Sequence, residues 1–209
     1  MDMKLVIMRH GQTDYNVENR YTGTTDIPIN ATGRAQAKAA GCAPQVQLAY
    51  VSPLQRARQT ARICFPNADL RIVPGLSEMD FGDFQGANTA ELANNEAFRV
   101  WHESKWALCA PHGQSRGEHQ RIVLAAVDAI VREREAAKAP YALIVAHGGV
   151  IMAVCDGLLR DTEKAGRDYL SWNPGNCHLI CADVVYKPDG SLCLEHLENH
   201  ADVAFLRSL

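Results

Sequence analysis

Short runs of apolar, mostly β-branched residues alternate along the chain with longer segments in which apolar positions recur every three or four residues. The runs predict six strands, over residues 4–8, 48–51, 70–73, 141–146, 178–186 and 192–198. The periodic segments predict helices over 31–43, 54–65, about 115–138 and 150–159. Strands alternating with helices are typical of a largely parallel sheet covered by helices on both faces.

The last two predicted strands are an exception to this alternation. They are separated only by the turn Pro188-Asp189-Gly190, so 178–198 is predicted to be an antiparallel hairpin. The sequence therefore predicts a three-layer α/β/α fold whose mostly parallel central sheet has one antiparallel edge hairpin.

Length and composition favour one domain over residues 1–209, since the chain has 209 residues, 47% of them hydrophobic, and no repeat or low-complexity linker. The polar stretch 85–114 contains Trp101 and Trp106 and is predicted to be a small helical insertion over the ligand-binding edge of the sheet. The net charge is −3 without a Lys/Arg block, which argues against a nucleic acid or anionic membrane as partner.

The first apolar run is interrupted at Arg9, too early for a signal peptide or a membrane span, so we expect a cytoplasmic protein. Seven cysteines without C-x-x-C spacing argue against a disulfide framework and a zinc knuckle. No Asp/His cluster with ligand spacing is present either, so we expect neither a metal nor a cofactor.

Histidine followed by glycine ends two of the predicted strands, in Arg9-His10-Gly11 and in His147-Gly148-Gly149. The carboxyl ends of parallel strands meet at one edge of a sheet, where ligands bind. Glycine lets the backbone approach a ligand closely, and the helix after the second motif directs its positive end there. This edge is therefore predicted to bind an anion.

A third strand ends at Ser52-Pro53 and places Arg56 in the first turn of the following helix, nearer the edge than its competitors Arg58 and Arg62. Each signal alone has an ordinary structural explanation, because a lone histidine after a strand is usually a hydrogen-bonding residue and an early helical arginine is usually solvated. The set of two histidines and two arginines at one edge favours a functional site.

Four segments resemble, in order, the signature blocks of the histidine phosphatase superfamily, the phosphoglycerate-mutase-like group. They are MRHGQTDYNVENRYTGTTDIPINATGRAQA, SPLQRARQTA, LSEMDFGDFQG and VAHGGV. The resemblance implies a nucleophile at His10 and a proton donor at Glu78. It implies a phosphate pocket formed by Arg9, Arg56 and His147. It places further substrate and phosphate contacts at Asn16, Thr22, Gly23 and the amide of Gly148.

The implied roles agree with the chemistry of phosphate esters. A neutral imidazole can attack phosphorus at neutral pH without the repulsion that an anionic nucleophile meets. Arginine supplies fixed donors for phosphate oxygens, and His147 would add a third positive partner if it were protonated. Glu78 must hold a proton near pH 7 to act as an acid, and on the residues alone Asp80 and Asp83 compete with it.

Two short segments depart from the family pattern: PHGQS (111–115) stands where relatives often have G-G-E-S, and FQG (84–86) where many phosphatases have W-E-G. Both bear on the wall that faces the substrate. His112 either contacts substrate or sits in a polar loop, and we favour the loop.

The resemblance favours a phosphomonoesterase that hydrolyses a small phosphorylated metabolite through a phosphohistidine at His10. The stretches YTGTTDIPIN and EMDFGDFQG resemble alpha-ribazole phosphatases, while broad-specificity phosphatases and sugar-phosphate phosphatases are similar as well. The alternatives are a phosphoglycerate mutase and a non-catalytic domain that binds phosphorylated ligands. Against the mutase, the chain offers Lys105 and a lone Arg116 where mutases carry a lysine and paired arginines.

Overall fold

The computed structural model describes residues 3–165 and 167–208. The strands are β1 (Lys4–Arg9), β2 (Leu48–Val51), β3 (Asp69–Ile72), β4 (Tyr141–Ala146), β5 (Leu179–Tyr186) and β6 (Leu192–His200). The helices are α1 (Asp14–Val17), α2 (Ala31–Ala40), α3 (Gln55–Cys64), α4 (Glu96–Glu103), α5 (Arg116–Ala136), α6 (Gly148–Leu158) and α7 (Asp161–Lys164). Each predicted strand and long helix is present; β2 and β4 have the predicted ends, and the ends of the other elements differ by at most three residues.

The six strands form one sheet in the order β3-β2-β4-β1-β5-β6. The first four positions run parallel, whereas β5 pairs antiparallel with both β1 and β6. The prediction of a mostly parallel sheet with one antiparallel edge hairpin is confirmed. Helix α2 ends earlier than predicted because Gly41, with φ +101°, turns the chain out of the helix.

Helices cover both faces of the sheet, and the alternation of side chains along β1 divides the core between them. Leu5 and Ile7 pack with α5 and α6, while Val6 and Met8 pack with α2 and α3. The α/β/α layering predicted from the sequence is therefore confirmed. Burial of both faces also explains why the central strands read as continuous apolar runs.

A third, smaller hydrophobic cluster lies in the 85–114 region. Phe84, Phe98 and Trp101 are buried there, and the ring of Tyr21, from the loop after α1, contacts them at its edge. The backbone of Tyr21 pairs with residues at the start of the segment: its N–H donates to the Ala87 carbonyl, and its carbonyl accepts from the Gly86 amide. These contacts hold the segment against the loop that follows the first strand.

Two further features concern disulfide bonds and membrane-spanning helices. All seven cysteines are free, and five of them are buried. Within residues 3–165 and 167–208, no helix is both long enough and apolar enough to cross a membrane.

Candidate active site

The pairing of β1 with β4 brings the two His-Gly motifs together. Arg9 lies opposite Ala146 in this parallel ladder, and the His10 amide donates to the Ala146 carbonyl at 3.0 Å. The rings of His10 and His147 consequently lie with their centroids 5.2 Å apart. The predicted meeting of both histidines at one edge of the sheet is what the structure shows.

The imidazole of His10 is oriented by its own backbone neighbour. Its Nδ1 lies 2.7 Å from the carbonyl oxygen of Gly11. A carbonyl can only accept, so Nδ1 carries the proton and Nε2 keeps a free lone pair. The ring is almost fully buried, with 4% of its surface exposed. Nε2 is therefore the nitrogen that can attack phosphorus.

Burial and charge both keep His10 neutral. Its pKa lies well below the ordinary value, because the ring is desolvated and because Arg56 and Arg9 disfavour a further positive charge. A neutral imidazole at physiological pH is the form that has a nucleophilic lone pair.

Arg56 is the arginine that reaches this site. It is completely buried and donates to the carbonyl oxygens of Gly23 (2.7 Å) and Thr25 (2.8 Å) and to Nδ1 of His147 (3.2 Å). Burial, and to a smaller extent the charge of Arg9, lowers the pKa of Arg56 to about 10, so the guanidinium remains charged at pH 7. Arg58 and Arg62 are exposed and line a different surface hollow.

Arg9 supplies a second guanidinium. Its Nη1 donates to the Pro174 carbonyl at 2.6 Å, while its buried Nε has no partner in the described part of the chain. The hydrogen-bond partners given above for Arg9 and Arg56 are all neutral groups, so the two positive charges are not neutralised by them. A bound anion would provide the missing acceptor for the Nε of Arg9.

His147 does not contribute the third positive charge considered from the sequence. Its Nδ1 accepts from Arg56, so the proton of the ring is on Nε2, which donates to the Ser52 hydroxyl at 2.6 Å. Burial, followed by the charge of Arg56, holds the pKa of His147 well below its ordinary value. The sequence could not show this, because the partner that fixes the neutral form lies 91 residues away.

Glu78 is the acidic residue that lies beside the two histidine motifs. Its Oε2 accepts from the amide of Gly149 in the first turn of α6 at 3.0 Å, and its Oε1 accepts from the amide of Met79 at 2.9 Å. A Cβ at position 149 would overlap the carboxylate, which explains the glycine there. Asp80 instead caps the amide of Gly82, and Asp83 faces solvent beside His112.

The loop after α1 carries the other residues that the resemblance singles out. Gly23 has φ +49°, and its carbonyl accepts from Arg56. Thr22 is half-buried next to it. Asn16 closes the capping box of α1, with its Oδ1 accepting from Thr13 N (3.0 Å) and from Asn176 Nδ2 (3.3 Å). Asn16 and Arg9 both line a hollow of about 390 Å³.

The two departures from the family pattern have different structural meanings. Gln85, in FQG, accepts at Oε1 from the amide and the hydroxyl of Thr24 and fills the space above Gly23. It supports the loop that carries Gly23 and Thr24, and nothing in the sequence indicated this role. His112, in PHGQS, is exposed and its Nδ1 lies 3.0 Å from Asp83 Oδ1, in the loop position that was favoured.

Three further polar residues hold the loop that begins at His10 and the residues around it. Thr60 accepts from the Gly11 amide at 2.9 Å and donates to the Arg56 carbonyl at 2.8 Å. Asn176 Nδ2 donates to the His10 carbonyl at 3.0 Å. Ser52 accepts from His147. Only Ser52 had a signal in the sequence, since it stands at the end of a strand.

The site thus combines a buried and a partly buried arginine, a neutral histidine and a nearby carboxylate, a set that suits an anionic ligand. The profile of the histidine phosphatase superfamily (branch 1) matches residues 5–193. The chain belongs to the histidine phosphatase superfamily, as the sequence motifs indicated. Gly148, for which the resemblance implied a phosphate contact, is the first residue of α6.

Several curated relatives are phosphoglycerate mutases. The chain is 39% identical over 163 residues to the 2,3-bisphosphoglycerate-dependent phosphoglycerate mutase 2 of Gloeobacter violaceus, covering 72% of this chain and 73% of that protein. It is 38% identical to the phosphoglycerate mutase of Candida albicans, over 48% of this chain. The chain spans about half of that Candida protein (46%).

Solved structures of similar fold include phosphatases. Mycobacterial glucosyl-3-phosphoglycerate phosphatase is 26% identical, with a TM-score of 0.73, over 96% of this chain and all of that one (100%). An Escherichia coli protein provisionally assigned as alpha-ribazole-5′-P phosphatase superposes with a TM-score of 0.75 at 22% identity, over 98% and 99% of the two chains. The second likeness concerns the fold alone.

The two buried neutral histidines make stability depend on pH. Because the pKa of His10 and that of His147 lie below the ordinary value of about 6.5, the unfolded chain binds more protons than the folded one below that pH. The free energy of unfolding that the two neutral rings contribute is complete above about pH 6.5, and this contribution is lost as the pH falls. We expect the free energy of unfolding, measured with urea, to drop by about 2–3 kcal/mol between pH 7 and 5.5. A His10→Asn variant should lose about half of this drop, and equal stability at both pH values would contradict the assignment.

Proposed function

We propose that the protein is a phosphomonoesterase that hydrolyses a small-molecule phosphate ester through a phosphohistidine at His10, with Glu78 as general acid. The observation that carries the proposal is the tautomer of His10. Its Nδ1–H is held by the Gly11 carbonyl, which leaves the Nε2 lone pair free beside two arginines whose hydrogen-bond partners are neutral.

In the first step, Nε2 of His10 attacks phosphorus and forms a P–N bond while the ester P–O bond breaks. Arg9 and Arg56 balance the charge on the phosphoryl oxygens, to which the amide of Gly148, the first residue of α6, is a further donor. The leaving oxygen takes a proton from Glu78. Throughout this step the proton remains on Nδ1 of His10, which donates it to the Gly11 carbonyl.

In the second step, water attacks the phosphorus of phospho-His10, and the P–N bond breaks. Glu78, now a carboxylate, takes a proton from that water, which restores the starting state of the enzyme. Neither step calls for a metal or a cofactor. Free cysteines are typical of reducing compartments, which supports a cytoplasmic location.

Phosphoglycerate mutase is the second candidate, and the curated relatives favour it. A mutase must return the phosphoryl group to a second hydroxyl of a bound acid rather than to water. That requires fixed donors for an additional carboxylate or phosphate. Lys105 is exposed, and the Arg116 guanidinium lies over the Tyr169 ring at 4.9 Å. This arrangement supports water as the acceptor.

The acceptor can be measured directly. The enzyme is incubated with 3-phosphoglycerate and 2,3-bisphosphoglycerate, and separately with p-nitrophenyl phosphate, with and without EDTA. We expect inorganic phosphate to exceed 2-phosphoglycerate as product and EDTA to leave the rate unchanged. Rapid isomerisation with negligible phosphate release would replace the phosphatase proposal by the mutase, and loss of activity in EDTA would contradict the metal-free mechanism.

A further inference from the structure

A cavity of about 110 Å³ is lined by Glu78 and by Gly149 of the second histidine motif. Four aromatic rings contribute to its wall, those of Tyr21, Phe81, Trp106 and Tyr169. Glu78 is the residue proposed to protonate the leaving oxygen. The cavity therefore lies where the leaving group of a bound ester would extend.

The aromatic wall is held in a fixed shape. Tyr21 and Phe81 meet edge to face at 5.4 Å as part of the cluster in the 85–114 region. Trp106 has φ +63°, a left-handed conformation that is costly for a bulky residue, and its carbonyl accepts from the Arg116 amide at 2.7 Å. Strain of this kind persists where the surroundings determine a conformation, and here it presents an indole ring to the cavity.

The opposite side of the cavity is closed by an element from a distant part of the chain. Tyr169 begins a short helical turn, Tyr169–Trp172, and its ring lies 6.4 Å from that of Trp106. The guanidinium of Arg116 lies 4.9 Å above the Tyr169 ring, at cation–π distance. Trp106, Arg116 and Tyr169 thus form one contact set at the edge of the cavity.

Outside this set lies a wider surface hollow of about 350 Å³. It shares Trp106, Arg116 and Tyr169 with the inner cavity and adds the polar side chains of Lys105 and Asp168. A ligand that fills both spaces would meet aromatic rings close to Glu78 and charged groups farther out.

We propose that this cavity binds a flat aromatic ring carried by the leaving group, so that the preferred substrates are phosphate monoesters of aromatic-bearing alcohols rather than of sugars or hydroxy acids. The inference rests on the proposed function. Hydroxyl groups of a sugar buried against this wall would lose hydrogen bonds to water, which costs free energy, whereas a ring would gain packing contacts. A cavity of about 150 Å³ can hold benzene. The 110 Å³ cavity alone is somewhat smaller, but it shares its edge with the hollow of about 350 Å³, so one ring can enter it while the rest of the ligand lies in the hollow.

The test compares kcat/KM for benzyl phosphate, cyclohexylmethyl phosphate and glycerol 1-phosphate in three proteins: wild type, Trp106→Leu and the control Leu108→Ala. Leu108 is an exposed residue of the same segment. We expect wild type to prefer benzyl phosphate over glycerol phosphate by about tenfold or more. Trp106→Leu should reduce that preference about tenfold and should remove the preference of benzyl over cyclohexylmethyl phosphate, while Leu108→Ala should change neither ratio.

A second measurement, which does not need turnover, compares the binding of benzylphosphonate and methylphosphonate by calorimetry. Tyr169→Leu provides a second variant if Trp106→Leu does not fold. Tighter binding of benzylphosphonate by wild type, lost in either variant, supports the ring site even if no ester is hydrolysed, in which case only the proposed function fails. Hydrolysis of all three esters without preference, or ratios that Trp106→Leu leaves unchanged, overturns the ring site alone.

Discussion

Replacing His10 by alanine is expected to lower turnover of p-nitrophenyl phosphate by about 10⁴-fold or more, because the covalent step loses its nucleophile. The phosphate pocket should survive in part, since Arg56 is held by the carbonyls of Gly23 and Thr25 and not by His10. The variant should therefore still bind inorganic phosphate. Rate loss without loss of anion binding is the signature of a missing nucleophile.

A second histidine provides the control for this prediction. His112 is exposed and lies outside the site, so His112→Ala should keep wild-type turnover. Rapid quenching of the wild-type enzyme should trap a phosphoenzyme that is labile in acid and stable in base, and His10→Ala should give none. Wild-type turnover by His10→Ala, or a phosphoenzyme that it still forms, would show that the phosphoryl group goes elsewhere.

The sequence predicted most of the fold because the strands of a buried parallel sheet leave a strong local signal. The runs at β1 and β4 are apolar on both faces, and each ends at a histidine followed by glycine. Parallel neighbours end at the same edge, so the proximity of His10 and His147 follows once the strands pair. That β1 and β4 are direct neighbours could not be predicted, since several strand orders satisfy the same pattern.

The protonation states of the site were not predictable from the sequence. Whether His147 is charged depends on which groups touch its two ring nitrogens, and these are Arg56 and Ser52, 91 and 95 residues away. The supporting role of Gln85 was not predictable for the same reason, because its partner Thr24 lies 61 residues earlier in the chain. Motifs show which residue types are present, whereas contacts between motifs decide their charge.

The cavity beside Glu78 was missed for a related reason. The segment 85–114, which contains Trp106, was predicted to lie over the site. Tyr169, however, comes from a stretch that the hydrophobic pattern left without a predicted element, and the short turn that carries it packs against α6.

Replacing Glu78 by glutamine is expected to slow esters of poorly acidic alcohols far more than aryl esters. The departing alkoxide of benzyl phosphate needs a proton in the transition state, whereas p-nitrophenolate leaves readily without one. Loss of a general acid costs about 10²–10⁴-fold where the proton is needed. Glutamine keeps the size of the side chain and one of the two acceptor oxygens, which can keep the hydrogen bond that joins this loop to Gly149 of α6 while the bond from the adjacent Met79 amide is lost.

The measurement for Glu78→Gln is the release of alcohol in a single turnover, because the same residue also assists the later attack of water on phospho-His10. We expect benzyl alcohol release to fall by about 10²-fold or more, and p-nitrophenolate release to fall by less than about tenfold. Asp83→Asn, which removes an exposed carboxylate near the same turn, should leave both rates unchanged. Equal slowing of the two esters by Glu78→Gln would mean that Glu78 positions the substrate and that another group supplies the proton.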